Sequence, residues 1–340
     1  NMINRNQIDI IAEIGVNHDG RFEKAIKLIR EAKKCGASTV KFQTLFANEF
    51  VKRDTKKVLY QSKTTSKKES HYEMIKKLEL SEYDFFRIYN FCRKININFL
   101  STPYDLKSLE ILKKIKAPRY KTASTDLVDH MLHTEIIKTK KPVIISTGAS
   151  NLKEIEKTLK LYKKMKHKKI TLLHCVSNYP CSEKNINLRV MNTLRKKFKF
   201  PVGYSDHSNS ETAAIMSVCL GAKIIEKHFT LNKKASGPDH KASADPRDFE
   251  KYVTSIRNAE KILGSDVKKI HKEEQSIRKI SRKSITLKNN LVKGRKISIN
   301  DIIMKRPGTG LIGEKLEKVL GKKISKDLTK DYQLKEIDLK

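Results

Sequence analysis

Eight short runs rich in β-branched residues recur between Ile8 and Phe229: "IDIIAEIG", "STVKFQT", "INFLSTP", "RYKTAS", "PVIISTG", "ITLLHCV", "PVGYSDHS" and "AKIIEKHF". Amphipathic segments alternate with them, and no other feature restricts the fold as much. A run that is apolar on both faces belongs to a parallel strand covered on both sides, and parallel neighbours need a crossover between them. Eight such units predict an α/β fold, a closed (β/α)8 TIM barrel. An open doubly wound sheet is the structural alternative, but no glycine fingerprint follows the first run. The crossovers carry helical punctuation of their own. "FEKAIKLIREAKKCG" has apolar residues at Phe22, Ile26, Ile29 and Ala32 and stops at Gly36, and "NLKEIEKTLKLYKKM" opens on Asn151 with Glu154 three positions later, the order of a capping box.

The βα rhythm ends after "DPRDFEKYVTSIRNAEKILG". A charged stretch follows, and "SITLKNNLVKGRKISINDIIMKRPGTG" reads as short strands separated by turn residues. The chain is therefore divided into a barrel over residues 1–264, a linker over 265–280 and a small β-rich domain over 281–340. At roughly 60 residues that domain buries little core alone. The stretch from Ala47 to His71 is too long for a simple βα connection. Its polar, lysine-rich composition argues against a buried element, and it is read as a loop covering substrate.

Lysine and arginine number 73 against 38 aspartates and glutamates, a formal charge of +35, which attracts polyanions. The lysines are spread over nearly every helical segment, as in "LKLYKKMKHKK", instead of forming one stripe interleaved with aromatics. A solvated surface that steers small anions inward is the stronger reading, with a nucleic-acid-binding protein as the competing class. No apolar run nears the roughly 18 residues of a membrane span, and "NMINRNQIDIIAEIG" lacks the architecture of a secretory leader. The cysteines, Cys35, Cys92, Cys175, Cys181 and Cys219, are odd in number and show neither CxxC nor zinc-ribbon spacing. Reduced thiols and a cytoplasmic protein are the expectation.

A barrel gathers the C-terminal ends of its strands around one mouth. Those ends supply Glu13, Asn17 and His18; Lys41 and Gln43; Ser101; Lys121 and Ser124; Ser146; His174 and Ser177; Ser205 and His207; Glu226 and His228. Two lysines, Lys41 and Lys121, among several serine hydroxyls suit a compact anion bearing phosphate and carboxylate. No Walker A loop or dinucleotide motif is present, which argues against a nucleotide. Strands seven and eight are neighbours in a barrel, so His207 and His228 can share one divalent ion. Two protein ligands leave positions open, which fits a Lewis acid at a substrate carbonyl and does not fit a closed structural site.

Read together and in order, "AEIGVNH", "VKFQT", "FLSTP", "YKTAS", "STGAS", "LLHCVSNYP", "GYSDH", "EKHFT" and "SGPDH", followed by "KRPGTG", resemble the sialic acid synthases over essentially the whole chain. These nonulosonate synthases condense phosphoenolpyruvate with an N-acylated mannosamine-type sugar. The resemblance implies a barrel followed by an antifreeze-like (SAF) domain in a domain-swapped homodimer. It implies metal ligands at His207 and His228, usually for Mn2+, with Mg2+ or Co2+ as substitutes. Phosphoenolpyruvate-binding positions fall on Lys41, Lys121, Ser124, Ser146, Ser177 and Ser205. Sugar-contacting positions fall on Glu13, Gln43, Tyr179 and Asp239, with Arg306 reaching in from the partner. Glu13 is expected either to orient sugar hydroxyls or to activate water. Two positions depart from the form that uses N-acetylmannosamine: Ser177 stands where an asparagine is common, and Asp126 where a glutamate contacts the sugar. "YQSKTTS", "GYSDHS" and "EKHFTLNKKASGPDHKAS" look more like the legionaminic acid branch. The resemblance thus implies a synthase of N,N'-diacetyllegionaminate acting on 2,4-diacetamido-2,4,6-trideoxymannose, the alternative being an N-acetylneuraminate synthase.

Overall fold

The computed structural model describes residues 7–66 and 68–340. Residues 1–6, where the segment read as lacking a leader begins, and residue 67 of the 47–71 stretch lie outside the described residues. Each of the eight apolar runs forms a strand: β1 (Asp9–Gly15), β2 (Thr39–Thr44), β3 (Asn98–Pro103), β4 (Tyr120–Thr122), β5 (Val143–Ser146), β6 (Ile170–His174), β7 (Val202–Asp206) and β8 (Ile224–His228). They pair in the order β3-β2-β1-β8-β7-β6-β5-β4, every ladder parallel. Because β3 also lies against β4, the sheet closes on itself.

Two-residue alternation decides what faces inward. Ile11, Leu100, Ile144, Leu173 and Ile224 meet inside the ring as an enclosed apolar cluster. Two residues further along the same strands stand Glu13, Thr102, Ser146, Cys175 and Glu226, which line a cavity at the strands' C-terminal ends. The interior thus has an apolar floor with a polar layer above it. Residues of the other parity, among them Ile10, Phe42, Phe99, Leu172 and Ile225, join the large core under the helices.

The crossover helices follow from their caps and apolar stripes. Helix Phe22–Lys34 buries Ala25, Leu28, Ile29 and Ala32, and Phe22 and Ile26 pack at its edge. It stops before Gly36, whose φ of +87° suits glycine; a Cβ there would stand 3.0 Å from Val253 Cγ1. Asn151 caps helix Leu152–Lys164 by accepting from the backbone N–H groups of Lys153 and Glu154, and Glu154 accepts in return from Asn151 N.

The stretch from Ala47 to His71 carries short helices where a loop was expected, but among its described side chains only Ala47 is buried, as its polar composition implies. With the residues just after it, it contains three short helices, Ala47–Phe50, Leu59–Thr64 and His71–Lys76. Ala47, Met74 and Ile75 bury against Val16, Leu45 and Leu78, with Phe50 and Tyr104 packed on them. Of the buried residues in that satellite core only Ala47 comes from the stretch; Leu45 precedes it and Met74, Ile75 and Leu78 follow it.

The chain forms two compact units, Asn1–Gly264 and Ser265–Lys340. The second holds helix Glu274–Ser281 and an antiparallel pair, β9 (Ser284–Leu287) with β10 (Ile302–Lys305). Ile285, Leu287, Leu291, Ile297, Ile302, Val319, Ile324, Leu328 and Leu334 form its own core. Among the described residues no helix is long and apolar enough to cross a membrane.

Candidate active site

A cavity of about 940 Å³ opens at the C-terminal ends of the barrel strands. Glu13, Lys41, Gln43, Lys121, Ser124, Asp126, Ser146, Ser177, Tyr179, Ser205, His207, His228 and Asp239 all line it. Arg306 lies in the second unit, exposed, directly after β10.

Two ammonium and two carboxylate groups form part of the polar layer lining this cavity, all nearly inaccessible: Glu13 is 1% exposed, Lys121 2%, and Lys41 and Glu226 4% each. Lys41 Nζ lies 2.9 Å from Glu226 Oε2 and 3.4 Å from Glu13 Oε2. Gln43 Nε2 donates to Glu13 Oε1 at 3.0 Å, and Ser205 Oγ donates to Glu226 Oε1 at 2.9 Å. Lys121 Nζ donates to Ser146 Oγ at 2.5 Å and to the Thr122 carbonyl at 2.9 Å. Gly15, at φ +55°, brings the chain so close that a Cβ would stand 3.1 Å from Gln43 Nε2 and 3.2 Å from Glu13 Oε1.

Burial sets the protonation of these four groups unequally. Glu13 is lifted to about 7, chiefly by loss of water and only partly offset by Lys41. Glu226 is just as buried, but the ammonium groups of Lys121 and Lys41, with the donors of Lys41 and Ser205, outweigh that and hold its pKa below the ordinary value. Lys121 is pushed down to about 8 by burial. In Lys41 burial acts in the same direction, yet Glu13 and Glu226 together raise it. The polar layer therefore offers cations to an entering anion while Glu13 stays poised to exchange a proton near neutrality.

Beside the lysines, Gly148 leaves room that no other residue would leave. A Cβ on it would come within 2.4 Å of Ser177 Oγ and 2.8 Å of both Ser124 Oγ and Cys175 Sγ. Ser124 Oγ accepts from Gly148 N at 3.1 Å and lies 3.1 Å from Cys175 Sγ. Two hydroxyls and a thiol from the ends of β4 and β6 thus converge where a compact oxyanion would find donors.

The two imidazoles line the same cavity, their ring centroids 5.7 Å apart. The Tyr179 ring packs 4.1 Å from His207 and edge-on to His228 at 5.5 Å. His207 Nδ1 donates to the Val176 carbonyl at 2.7 Å, which leaves Nε2 as its open nitrogen. Burial keeps both rings neutral, lowering His207 to about 4 and His228 well below its ordinary value. His228 Nδ1 is buried without a hydrogen-bond partner, with Asp239 Oδ2 3.9 Å away. Neutral imidazoles with unclaimed nitrogens are the donors a divalent cation requires. Among the described residues no group of three or more His, Cys, Asp or Glu could hold a metal, so two imidazoles would need substrate or water to complete a shell.

Asp126 stands at the rim, its Oδ2 buried and unpartnered. Its pKa rises to about 7, first through burial and then through the nearby Asp129.

Four strand-end residues of the expected ring are used elsewhere. Asn17 donates to the Phe229 carbonyl and to Ser243 Oγ. His18 Nδ1 accepts from Gly20 N. Ser101 bonds Thr44 Oγ1 and the Phe42 carbonyl, and His174 donates to the Ile186 carbonyl. Strict two-residue alternation would have found two of these errors. On β3 and β6 the inward residues are Thr102 and Cys175, which do line the cavity, whereas Ser101 and His174 face the helices. Gln61 and His71, from the 47–71 stretch read as covering substrate, also line it, as does Met74 just after it; no periodic pattern singles out these three individually.

Comparison with known proteins agrees with this architecture. The model of the NeuB family matches residues 28–268, and that of the SAF domain matches residues 282–340. An uncharacterized protein of Methanocaldococcus jannaschii is 43% identical over 322 residues, covering 95% of this chain and 91% of its own. The N,N'-diacetyllegionaminic acid synthase of Campylobacter jejuni subsp. jejuni serotype O:2 is 41% identical over 329 residues, 96% of this chain and 98% of that protein. A pseudaminic acid synthase of the same strain is 32% identical, covering 98% and 96%. Among solved structures, the N-acetylneuraminic acid (sialic acid) synthetase of Leptospira borgpetersenii serovar Hardjo-bovis, in complex with citrate, superposes with a TM-score of 0.69 at 33% identity over 80% of this chain and 90% of that one. The match spans both units, so the chain belongs to the NeuB family and is an enzyme of the sialic-acid-synthase type.

Proposed function

We propose that the protein condenses phosphoenolpyruvate with 2,4-diacetamido-2,4,6-trideoxymannose to give N,N'-diacetyllegionaminate and phosphate. It does so in the cytoplasm as a homodimer, with a divalent cation, preferentially Mn2+, on His207 and His228. The observation that carries the chemistry is one cavity holding the buried pair Lys41 and Lys121 beside converging serine hydroxyls, with two neutral imidazoles lining the same cavity. The sugar rests on the higher identity to the legionaminic than to the pseudaminic synthase, 41% against 32%.

In this reading the carboxylate and phosphate of phosphoenolpyruvate lie against Lys41 and Lys121, with Ser124, Ser146, Ser177 and Ser205 as donors. C3 of phosphoenolpyruvate attacks C1 of the open-chain sugar aldehyde, water adds at C2, and phosphate leaves with cleavage of its C–O bond. The bound cation supplies Lewis acidity at the aldehyde oxygen. Lys41 and Lys121, already desolvated and fixed, oppose the charge of the anion without reorganising. Glu13 at about 7 serves either of two tasks, orienting a sugar hydroxyl or taking the proton of the adding water. Gln43, Tyr179 and Asp239 hold the rest of the sugar, and Arg306 reaches it from the partner. Asp126 contributes its unpartnered Oδ2 to a sugar that carries an acetamido group at C4. Buried polar groups left unpaired discriminate more strongly than methyl contacts do.

Steady-state kinetics on the two sugars tests the assignment. The diacetamido sugar is expected to give the higher kcat/KM. A value for N-acetylmannosamine equal to or above it returns the enzyme to the N-acetylneuraminate branch.

A further inference from the structure

On the far side of the barrel wall from the cavity, a buried carboxylate collects donors from four places in the fold. Asp206 is 1% exposed. Its Oδ1 accepts from Ser208 N at 2.8 Å, Ser208 Oγ at 2.7 Å and Tyr204 OH at 3.2 Å. Its Oδ2 accepts from Tyr252 OH at 2.8 Å, and Lys227 Nζ lies 3.3 Å away. Lys227 also donates to the Ser208 carbonyl. Asp206 and Lys227 are register partners on β7 and β8, and Tyr252 comes from the covering helix Pro246–Leu263.

Alternation gives this network its reach. Asp206 and Lys227 point outward because Ser205, His207, Glu226 and His228 point into the cavity. His207 sits between Asp206 and Ser208, both held by the same carboxylate, and His228 directly follows Lys227. The backbone on each side of one imidazole and immediately before the other is thus tied to a single ion pair. An apolar pair of similar size would generally serve stability as well as a buried ion pair or better. What the charged pair adds is direction, since each hydrogen bond fixes an atom's position.

We infer that Asp206 and Lys227, anchored by Tyr252, are positioning residues that fix the spacing of His207 and His228 and thereby set the affinity for the cation. The inference rests on the reading that these two imidazoles hold that cation. The test is a Co2+ titration followed by visible absorption, with thermal unfolding measured in parallel. The double variant Asp206→Asn with Lys227→Met removes both charges together and leaves no uncompensated ion. It is expected to fold, to bind Co2+ about tenfold more weakly or worse, and to show an altered ligand-field band. A second double variant, Asp9→Asn with Arg119→Met, removes the 2.6 Å ion pair between β1 and the residue before β4, at the opposite end of the barrel. It is expected to lose stability and keep the Co2+ affinity of the wild type.

Should the first double variant fail to fold, Tyr252→Phe decides: weaker Co2+ binding at an unchanged melting temperature supports the inference, and unchanged binding overturns it. Unaltered Co2+ affinity in the folded Asp206→Asn, Lys227→Met protein also overturns it, as does equal weakening in the control. A wild-type protein that binds no Co2+ overturns the cation reading together with this one, which sets that outcome apart.

Discussion

Asp126 holds its Oδ2 buried and without a hydrogen bond, and burial together with Asp129 lifts its pKa from an ordinary 3.8 to about 7. A carboxyl whose pKa is raised on folding favours the folded state while protonated, below its unfolded value, and that contribution is lost as pH climbs through the folded value. Between about pH 4 and pH 8 the protein without substrate should therefore lose stability at this residue. Asp126→Asn has no charge to desolvate. Its melting temperature should exceed that of the wild type at pH 8, with the gap closing toward pH 4, while kcat/KM for the diacetamido sugar falls. A difference in melting temperature that does not vary with pH would assign the carboxylate no desolvation penalty. At this scale the sequence was informative only where periodicity applied: Lys41, Lys121 and the two histidines sit where strand ends and alternation put them. Asp126 lies on a 3-10 turn beyond β4, where no repeat predicts direction, and only the resemblance brought it forward.

At the scale of elements, the strands and their caps were the most legible part. Each reports a local rule, whether an apolar run, a glycine stop or the Asn151 and Glu154 box, and each rule is satisfied within a few residues. The short helices within the 47–71 stretch were illegible because they bury little of their own, Ala47 with Phe50 packed beside Val16 and Tyr104. The junction of β7 and β8 shows how closely neighbouring strands constrain each other. Gly203 faces the interior, and a Cβ there would fall 2.4 Å from the Ile224 carbonyl oxygen and 2.7 Å from Leu173 Cδ2. Since backbone is one of the obstacles, Gly203→Ala must push β8 away from β7. We expect a loss of about 1–3 kcal/mol, the usual range for overpacking a filled core, read as a lower denaturant midpoint. A midpoint equal to that of the wild type would mean that the barrel interior is looser than these contacts require.

For the whole molecule, each unit closes a core of its own, and every cavity-lining residue named above belongs to the first. A chain ending at Ser281 is therefore expected to unfold cooperatively and to keep its Co2+ affinity while losing most of its turnover. Arg306→Ala in the full chain should raise KM for the sugar more than for phosphoenolpyruvate. Full activity from the shortened chain as a strict monomer would remove the second unit from the reaction. The apolar floor of Ile11, Leu100, Ile144, Leu173 and Ile224 carries a further consequence. It supplies the packing that closes the ring, and the residues that meet substrate stand one layer above it, so heritable change can act on the two layers separately. On the reading proposed above, a substitution at position 126 would retune recognition of the sugar without disturbing that apolar layer. If that reading holds, a lineage built on such a barrel would move from one nine-carbon sugar to another through intermediates that still fold. That separation gives a physical reason why proteins named for legionaminic, pseudaminic and N-acetylneuraminic acids share this one architecture at 32–41% identity.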